Sequence, residues 1–393
     1  MDFELTEEQQ ALVELVDRIL ADHCGNERLA ELEKEARGGA IGSVHDAQAW
    51  RALATAGAIS ALLPEPEGDD SDDDGDGASD GLGILGLALL AERVGKYTAY
   101  VPVVAAVALG ALPLSRFGGH DDLLAEIADG TKLVTAALEE PGEPASLTTT
   151  ARPADGGYVL DGAKTMVPYG DLADSILIPA VLDDEPALFL VPRSALTVTP
   201  LLATGRQPYA DLELDAVTVP DSALLISGAE ALDRLRDLGS LALAAEASGV
   251  CAEAVAMTAR YTSARKQFGE PIASFQAVAQ RAADAHISTQ VLRLTMLRAA
   301  WLLDDEDRTA RSLADPAASP APRSEISAEV AIAKFHAGDA GSRVLHAAQH
   351  LHGGIGVDTD YPLHRYFVRG QQIEQTLGTA TRQLLRIGAH LAE

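Results

Sequence analysis

The chain has 393 residues, enough for two or three domains. Hydrophobic residues make up 47% of it but aromatic residues only 4%, so the core must be aliphatic, which favours helices over an all-β fold. A formal net charge of −29 argues against nucleic-acid and anionic-membrane partners, because their phosphate groups would be repelled.

Residues 1–130 are predicted to form an all-helical domain. Thr6 and the three residues after it, TEEQ, are typical of a helix N-cap. A second helix is expected at about 46–56, after a polar connection at 34–42, and an acidic, low-complexity loop at 65–80. Apolar helical runs follow at 82–94, 101–114 and 121–128.

The first residues lack the pattern of a signal peptide, and the run 101–114 is too short to span a bilayer. Cys24 and Cys251 have no metal-type spacing, and we expect them to be buried thiols. A cytoplasmic protein without a metal site is therefore predicted.

The pattern changes near residue 131. Short β-branched runs separated by Gly, Pro and Asp predict a middle β domain at 131–225. Long Ala-rich runs then predict a helical bundle domain at 226–393. The fold class is predicted to be α+β.

Three motifs in the last part of the chain carry candidate ligand-binding chemistry: RKQFGEPIASFQ at 265–276, HLHGGIG at 350–356 and LGT at 377–379. Arg265 offers a planar donor fork that suits a diphosphate, and Gln276 can pair with adenine or phosphate. The glycines allow close approach of a ligand to the backbone, and the LGT step opens a helix N-terminus. Ordinary helix-capping turns would produce similar patterns.

Taken together, the motifs and the order helices, β domain, helical bundle resemble the acyl-CoA dehydrogenase family. The resemblance implies an N-terminal helical domain, a middle small β-barrel domain and a C-terminal four-helix bundle. It implies FAD as cofactor, shared across a subunit interface, and α,β-desaturation of an acyl-CoA thioester. The cofactor-binding residues that it implies are Arg265, Phe268, Phe275, Gln276, His350, Gly353, Gly354 and Thr379.

Several family positions are changed here. The resemblance implies two elements that hold the flavin. The first has Glu139 in place of Thr, and the second has Met166 in place of Trp and Pro168 in place of Thr. His350 stands where the family has Gln. An anionic side chain at 139 would disfavour reduced, anionic flavin.

The catalytic base is also missing from its two family positions. Leu377 occupies the usual place of the glutamate, and the alternative place at 239–241 reads Gly-Ser-Leu. Glu374 and Glu246 are the remaining carboxylates that could act as a relocated base.

These losses indicate the base-lacking subunit of an α2β2 enzyme, similar to bacterial acyl-CoA dehydrogenases that shorten steroid side chains. Its partner would be a homologous catalytic subunit with the acyl-CoA substrate, and this chain would supply no catalytic residue. The alternatives are a self-sufficient homotetramer using Glu374 or Glu246, a non-catalytic structural homologue, and an oxidase or monooxygenase of the same fold.

Overall fold

The computed structural model describes residues 4–39, 41–64, 81–117, 119–142, 147–311 and 321–392, so the acidic loop predicted at 65–80 lies outside the described residues. The first helix begins as the sequence predicts, because the Thr6 hydroxyl accepts from the Gln9 N–H and the Gln9 side chain accepts from the Thr6 N–H. The helices before the sheet are α1 (Glu7–His23), α2 (Asn26–Arg37), α3 (Ala47–Thr55), α4 (Gly83–Tyr97), a π-helical stretch (Val103–Ala111), α5 (Leu112–Phe117) and α6 (Asp121–Ala128).

Helix α2 corrects the prediction of a polar connection at 34–42, because it continues to Arg37. Leu29, Leu32 and Glu33 lie on its buried face. The Glu33 carboxylate accepts from Arg365 Nε at 2.7 Å and from the Tyr100 hydroxyl at 2.8 Å. A buried charged residue therefore anchors this helix. Because the helix is rich in polar residues, its apolar spacing did not indicate a helix as far as Arg37.

Within the described ranges, eight strands form one mixed sheet, in the order β6-β7-β3-β2-β4-β5-β8 with β1 paired to β4. The pairs β1–β4 and β2–β4 are parallel and the other pairs are antiparallel. The strands are β1 (Val134–Ala136), β2 (Thr150–Ala154), β3 (Gly157–Pro168), β4 (Ser175–Leu182), β5 (Glu185–Pro192), β6 (Thr197–Leu202), β7 (Pro208–Pro220) and β8 (Leu224–Ser227).

A buried ion pair fixes the start of the sheet. Lys164 Nζ on β3 lies 2.5 Å from Glu140 Oε1 and donates to the Pro179 carbonyl at 2.6 Å. The same carboxylate accepts from the hydroxyls of Thr148 and Thr149. The segment that follows β1 is thereby held against β3, which places Glu139 beside Met166 and Pro168 in one wall of a cavity.

The last third of the chain is helical, with a small hairpin between its first two long helices. Helices α7, α8 and α9 pack on one another, α10 packs on α9 and α7, and α11 packs on α9. Their bounds are α7 (Ala229–Ala264), β9 (Lys266–Gln267), β10 (Glu270–Pro271), α8 (Gln276–Arg311), α9 (Arg323–His352), α10 (Leu363–Gln375) and α11 (Ala380–Ala392).

Helix α7 joins the bundle to the amino-terminal helices. A Cβ at Gly249 would lie 1.8 Å from the Glu92 carbonyl oxygen, and one at Gly95 would lie 1.9 Å from that of Glu246, so glycine is required where α4 crosses α7. By length and composition alone α7 could cross a membrane, but 78% of its most apolar window is buried inside the fold.

The architecture is α+β, as predicted. Cys24 and Cys251 are buried, as predicted, and burial raises the pKa of each thiol to about 12.

Candidate functional site

The residues of the first motif form an exposed arm, which we define as residues 265–276. It leaves the end of α7, turns through the β9–β10 hairpin and re-enters the fold at the start of α8. The turn requires positive φ at Phe268 (+53°) and Gly269 (+88°). Phe268 is 94% exposed, and its ring meets that of Phe275 edge to face with centroids 6.2 Å apart. Arg265 and Gln276 are also exposed.

The second motif lies at the same end of the bundle, where α9 finishes. The ring of Tyr261, near the end of α7, stacks on His352 with centroids 4.5 Å apart. Arg281, in the second turn of α8, contacts His350, with 2.8 Å between Nη1 and Nδ1. A Cβ at Gly353 or Gly354 would meet nothing within 4 Å, so this turn offers open backbone. Seven of the eight predicted cofactor-binding residues thus lie at one end of the chain's helical bundle.

Thr379 lies apart from the other seven. Lys334 on α9 donates to the carbonyls of Ile373 and Gly378, at 2.9 and 3.1 Å, which ties the turn before α11 to the middle of α9. At 1.5 Å per residue, Lys334 lies roughly 24 Å along the helix from His350. Thr379 therefore lies well apart from the other end of α9, where the HLHGGIG motif stands.

An inner cavity of about 30 Å³ separates the π-helical stretch, the sheet and α7. A cavity of that size has room for about two water molecules. It is lined by Leu109, Leu138, Glu139, Met166, Pro168, Tyr169, Tyr209, Leu243, Glu246, Thr376 and Leu377, among others.

Leu377, which the sequence predicts to stand at the base position, lines this cavity. Its φ is +55°, an unusual conformation for a branched side chain, and Gln383 Nε2 donates to its carbonyl at 3.0 Å. A Cβ at Gly239 would lie 2.7 Å from Leu377 Cδ1, so α7 and Leu377 are in tight contact. The position is occupied by packing rather than by a proton acceptor.

Among the described residues, two carboxylates line the cavity. Burial raises the pKa of Glu139, while the charge of Arg382 and a hydrogen bond from the Leu377 N–H act to lower it. Burial also raises the pKa of Glu246, while the charge of Arg369 acts to lower it. Arg369 Nε lies 3.1 Å from Glu246 Oε1. Glu374, the other candidate base, is only partly buried and does not line the cavity.

An outer pocket of about 380 Å³ adjoins the cavity and shares Leu138, Glu139 and Leu377 with it. Three arginines also line it, two of them on α11, the helix that begins after Thr379. They are Arg236, Arg382 and Arg386, the last of which is paired with Asp237.

Comparison with known proteins decides the family. Residues 227–392 match the model of the acyl-CoA dehydrogenase C-terminal domain. The chain is 38% identical to acyl-CoA dehydrogenase FadE27 of Mycobacterium tuberculosis, over 100% of this chain and 99% of the relative. The chain belongs to the acyl-CoA dehydrogenase family. FadE28 of the same organism is 28% identical, over 99% of this chain and 98% of its own length.

Solved structures of acyl-CoA dehydrogenases agree over the whole chain. A chain of the ChsE4-ChsE5 complex from Mycobacterium tuberculosis superposes with a TM-score of 0.84 at 37% identity, covering 100% of this chain and 99% of that one. A variant of the Tcur3481-Tcur3483 steroid ACAD gives 0.82 at 35% identity, covering 98% of each chain. The family resemblance of the sequence and the predicted fold class are both confirmed.

FAD is the cofactor of acyl-CoA dehydrogenases, and this chain's two candidate regions differ in how they fit it. The inner cavity alone is too small for a flavin ring, because ordinary ligand pockets measure roughly 300–1,000 Å³ and this one, of about 30 Å³, is lined by Leu377 and a buried glutamate. The adjoining outer pocket of about 380 Å³ lies at the lower end of that range, and it too is lined by Leu377 and Glu139. The arm does fit a phosphate-bearing, aromatic ligand, since an arginine, two aromatic rings and open glycine backbone lie exposed together.

Sequence reasoning missed two residues that shape these regions, Arg281 and Lys334. Each acts across helices, on His350 and on the turn at 376–379 respectively. The only sequence signal was a charged residue within an Ala-rich helix, and such residues are usually solvated.

Proposed function

We propose that this chain is the base-lacking subunit of a heteromeric acyl-CoA dehydrogenase, in which its arm completes an FAD site on a homologous catalytic subunit. The assembly would be α2β2. The substrate would be an acyl-CoA thioester of the steroid side-chain type. The enzyme would be located in the cytoplasm.

The observation that carries the proposal is the exposure of the arm. A phenylalanine that is 94% exposed, next to Arg265 and a second exposed ring, gains no burial on folding and contributes nothing to the chain's own core. Such a group is expected where a partner or its ligand covers it. The relatives whose structures match include a named two-component complex, which supports a partner of the same fold.

The inner cavity supports the other part of the proposal, that this chain supplies no catalytic base. The base position holds Leu377, the residue at 139 is anionic, and Pro168 supplies neither a hydroxyl nor an N–H. A chain with these residues gains nothing from holding its own flavin. Its contribution would be to bind and orient the partner's cofactor.

In this enzyme class the bound FAD accepts the hydride from the β carbon. The residues of this chain would do three things toward it. Arg265 would neutralise the diphosphate, Phe268 and Phe275 would exclude water, and the 353–356 turn would present backbone close to the ligand. Proton abstraction would belong to the partner.

One observation favours a second candidate, a self-sufficient dehydrogenase using Glu246. That carboxylate lines the cavity and burial raises its pKa, as expected of a general base. Its ion pair with Arg369 and the size of the cavity favour a structural role instead.

The test is the flavin content of the purified protein. We would express the chain alone and together with a homologous subunit encoded beside it, and measure flavin absorbance per chain. We expect little flavin in the lone chain and about one FAD for every two chains in the complex. One FAD per chain in the lone protein, with turnover of a thioester, would instead establish the second candidate.

A further inference from the structure

Arg281 and His350 form a cross-helix contact at the arm end of the bundle. Arg281 lies in the second turn of α8 and His350 in the last turn of α9, and the two helices run antiparallel side by side. The Nη1 to Nδ1 distance is 2.8 Å and both residues are exposed. His350 is the residue that stands where the family has a cofactor-binding Gln.

The chemistry of the two groups fixes the state of the imidazole. A guanidinium has only donors, so the Nδ1 that it contacts must be the unprotonated, accepting nitrogen. The proton of the neutral ring is then on Nε2, across the ring from Arg281. His350 is therefore held as a hydrogen-bond donor through Nε2–H, which is the role a glutamine amide would otherwise play.

The neighbouring histidines are held differently. Nδ1 of His352 contacts the Ala348 carbonyl at 2.8 Å and its Nε2 contacts the Tyr361 hydroxyl at 3.2 Å, so both nitrogens are used inside the fold. Nδ1 of His346 contacts the Ser342 carbonyl at 2.8 Å. Those two rings donate through Nδ1 to their own helix, whereas His350 accepts at Nδ1 from another helix.

We propose that Arg281 is a positioning residue for FAD binding, which fixes the tautomer and orientation of His350 so that Nε2–H donates to the cofactor. The inference rests on the proposed function, because it assumes that the arm end of this chain contacts FAD in the complex. It explains how the chain tolerates His at a Gln position: the glutamine amide needs no helper to be a donor, and the imidazole does.

FAD titration of the heteromeric complex tests the proposal. Arg281→Ala and His350→Ala should each raise the FAD Kd by about three- to tenfold, the effect of one hydrogen bond, and together they should do no more than either alone. His350→Gln should bind FAD as the unmodified complex does. Added to His350→Gln, the Arg281→Ala change should have no effect, since the amide does not depend on the arginine.

A loss of affinity on Arg281→Ala that is the same with and without His350→Gln would overturn the proposal, because Arg281 would then act on its own. No loss on Arg281→Ala in the otherwise unmodified complex would also overturn it. Arg265→Ala separates this result from the proposed function: if it lowers FAD affinity while Arg281→Ala does not, only the positioning role fails. If Arg265→Ala has no effect either, the proposed function fails.

A second readout needs no flavin. In the lone chain labelled with ¹⁵N-histidine, His350 should show an unprotonated Nδ1 and a protonated Nε2, and Arg281→Ala should produce a mixture of tautomers. Assignment is practical because the chain has only 10 histidines and His350→Gln removes one signal. An Nδ1-protonated ring at His350 in the unmodified chain would contradict the proposal.

Discussion

Glu246 and Arg369 form an ion pair beside the inner cavity, with 3.1 Å between Oε1 and Nε and only 2% of each side chain exposed. Arg369 also donates to the Ala99 carbonyl at 2.6 Å and lies over the ring of Tyr100, 5.5 Å from its centroid. The guanidinium thus links α10 to α7 and to the segment after α4. The carboxylate that best resembles a relocated base is committed to this link.

We therefore predict that Glu246→Gln lowers stability but leaves turnover of the complex intact. Removing the carboxylate leaves a buried arginine without its counter-charge, which typically costs about 3–5 kcal/mol. Denaturant unfolding and steady-state kinetics measure the two effects. Asp339→Asn, which breaks the exposed pair with Arg343, is the control and should cost about 0–1 kcal/mol. A fall in kcat of more than about a hundredfold would make Glu246 the base.

The arm offers a matched pair of basic side chains. Arg265→Ala should weaken FAD binding by the complex about ten- to a hundredfold, because a charge-assisted contact to the diphosphate is lost. Lys266→Ala removes an exposed charge from the neighbouring residue and should change the affinity by less than about threefold. Equal effects of the two changes would mean that only the overall charge of the arm matters.

Restoring a carboxylate at the base position should not restore a site. Leu377→Glu would place a charge against Leu109 and α7 in a cavity of about 30 Å³, so we expect a loss of about 1–3 kcal/mol in stability and no thioester turnover by the lone chain. Leu377→Met, which keeps an apolar side chain, should cost less than about 1.5 kcal/mol. Turnover by the glutamate variant alone would show that the chain retains a usable flavin site.

The buried carboxylate of Glu33 is expected to make the stability of the protein depend on pH in the acid range. Burial alone would raise its pKa, but hydrogen bonds from His364, Arg365 and Tyr100 outweigh burial and lower the pKa from 4.5 to about 2. A lowered pKa in the folded state stabilises the protein above pH 4.5, and that contribution is lost as the pH falls toward 2.

The Glu33→Gln variant should accordingly be less stable than the unmodified chain at neutral pH, and the difference should shrink between pH 4.5 and 2. Unfolding by urea at a series of pH values measures it. Glu31→Gln, on the exposed side of the same helix, should show no such dependence. A difference that stays constant down to about pH 2 would contradict the assignment.

Local pattern in the sequence predicted a large part of the fold. The capped first helix and the order of helical and β segments follow from spacing and capping residues. The predicted boundaries at 130 and 225 stay predictions, and so do the predicted site residues, of which the FAD titrations above test Arg265 and His350.

What could not be predicted depends on contacts between distant residues. Strand β7 carries acidic residues, which are uncommon in strands, and the pairing of this run with β3 is what defines it. Helix α2 needed Arg365, more than three hundred residues away, to make its buried glutamate acceptable. The contact between Arg281 and His350 likewise forms only when two helices are set side by side.

The exposed ring of Phe268 also has a consequence for how the protein is made. Each copy synthesised without a partner presents this aromatic surface to the solvent, where it can associate with other apolar surfaces. We expect surplus chains to be less soluble than the complex at the concentrations of a cell, so the ratio at which the two subunits are translated matters to the cell. The feature that proposes a partner thereby also favours a balanced supply of that partner.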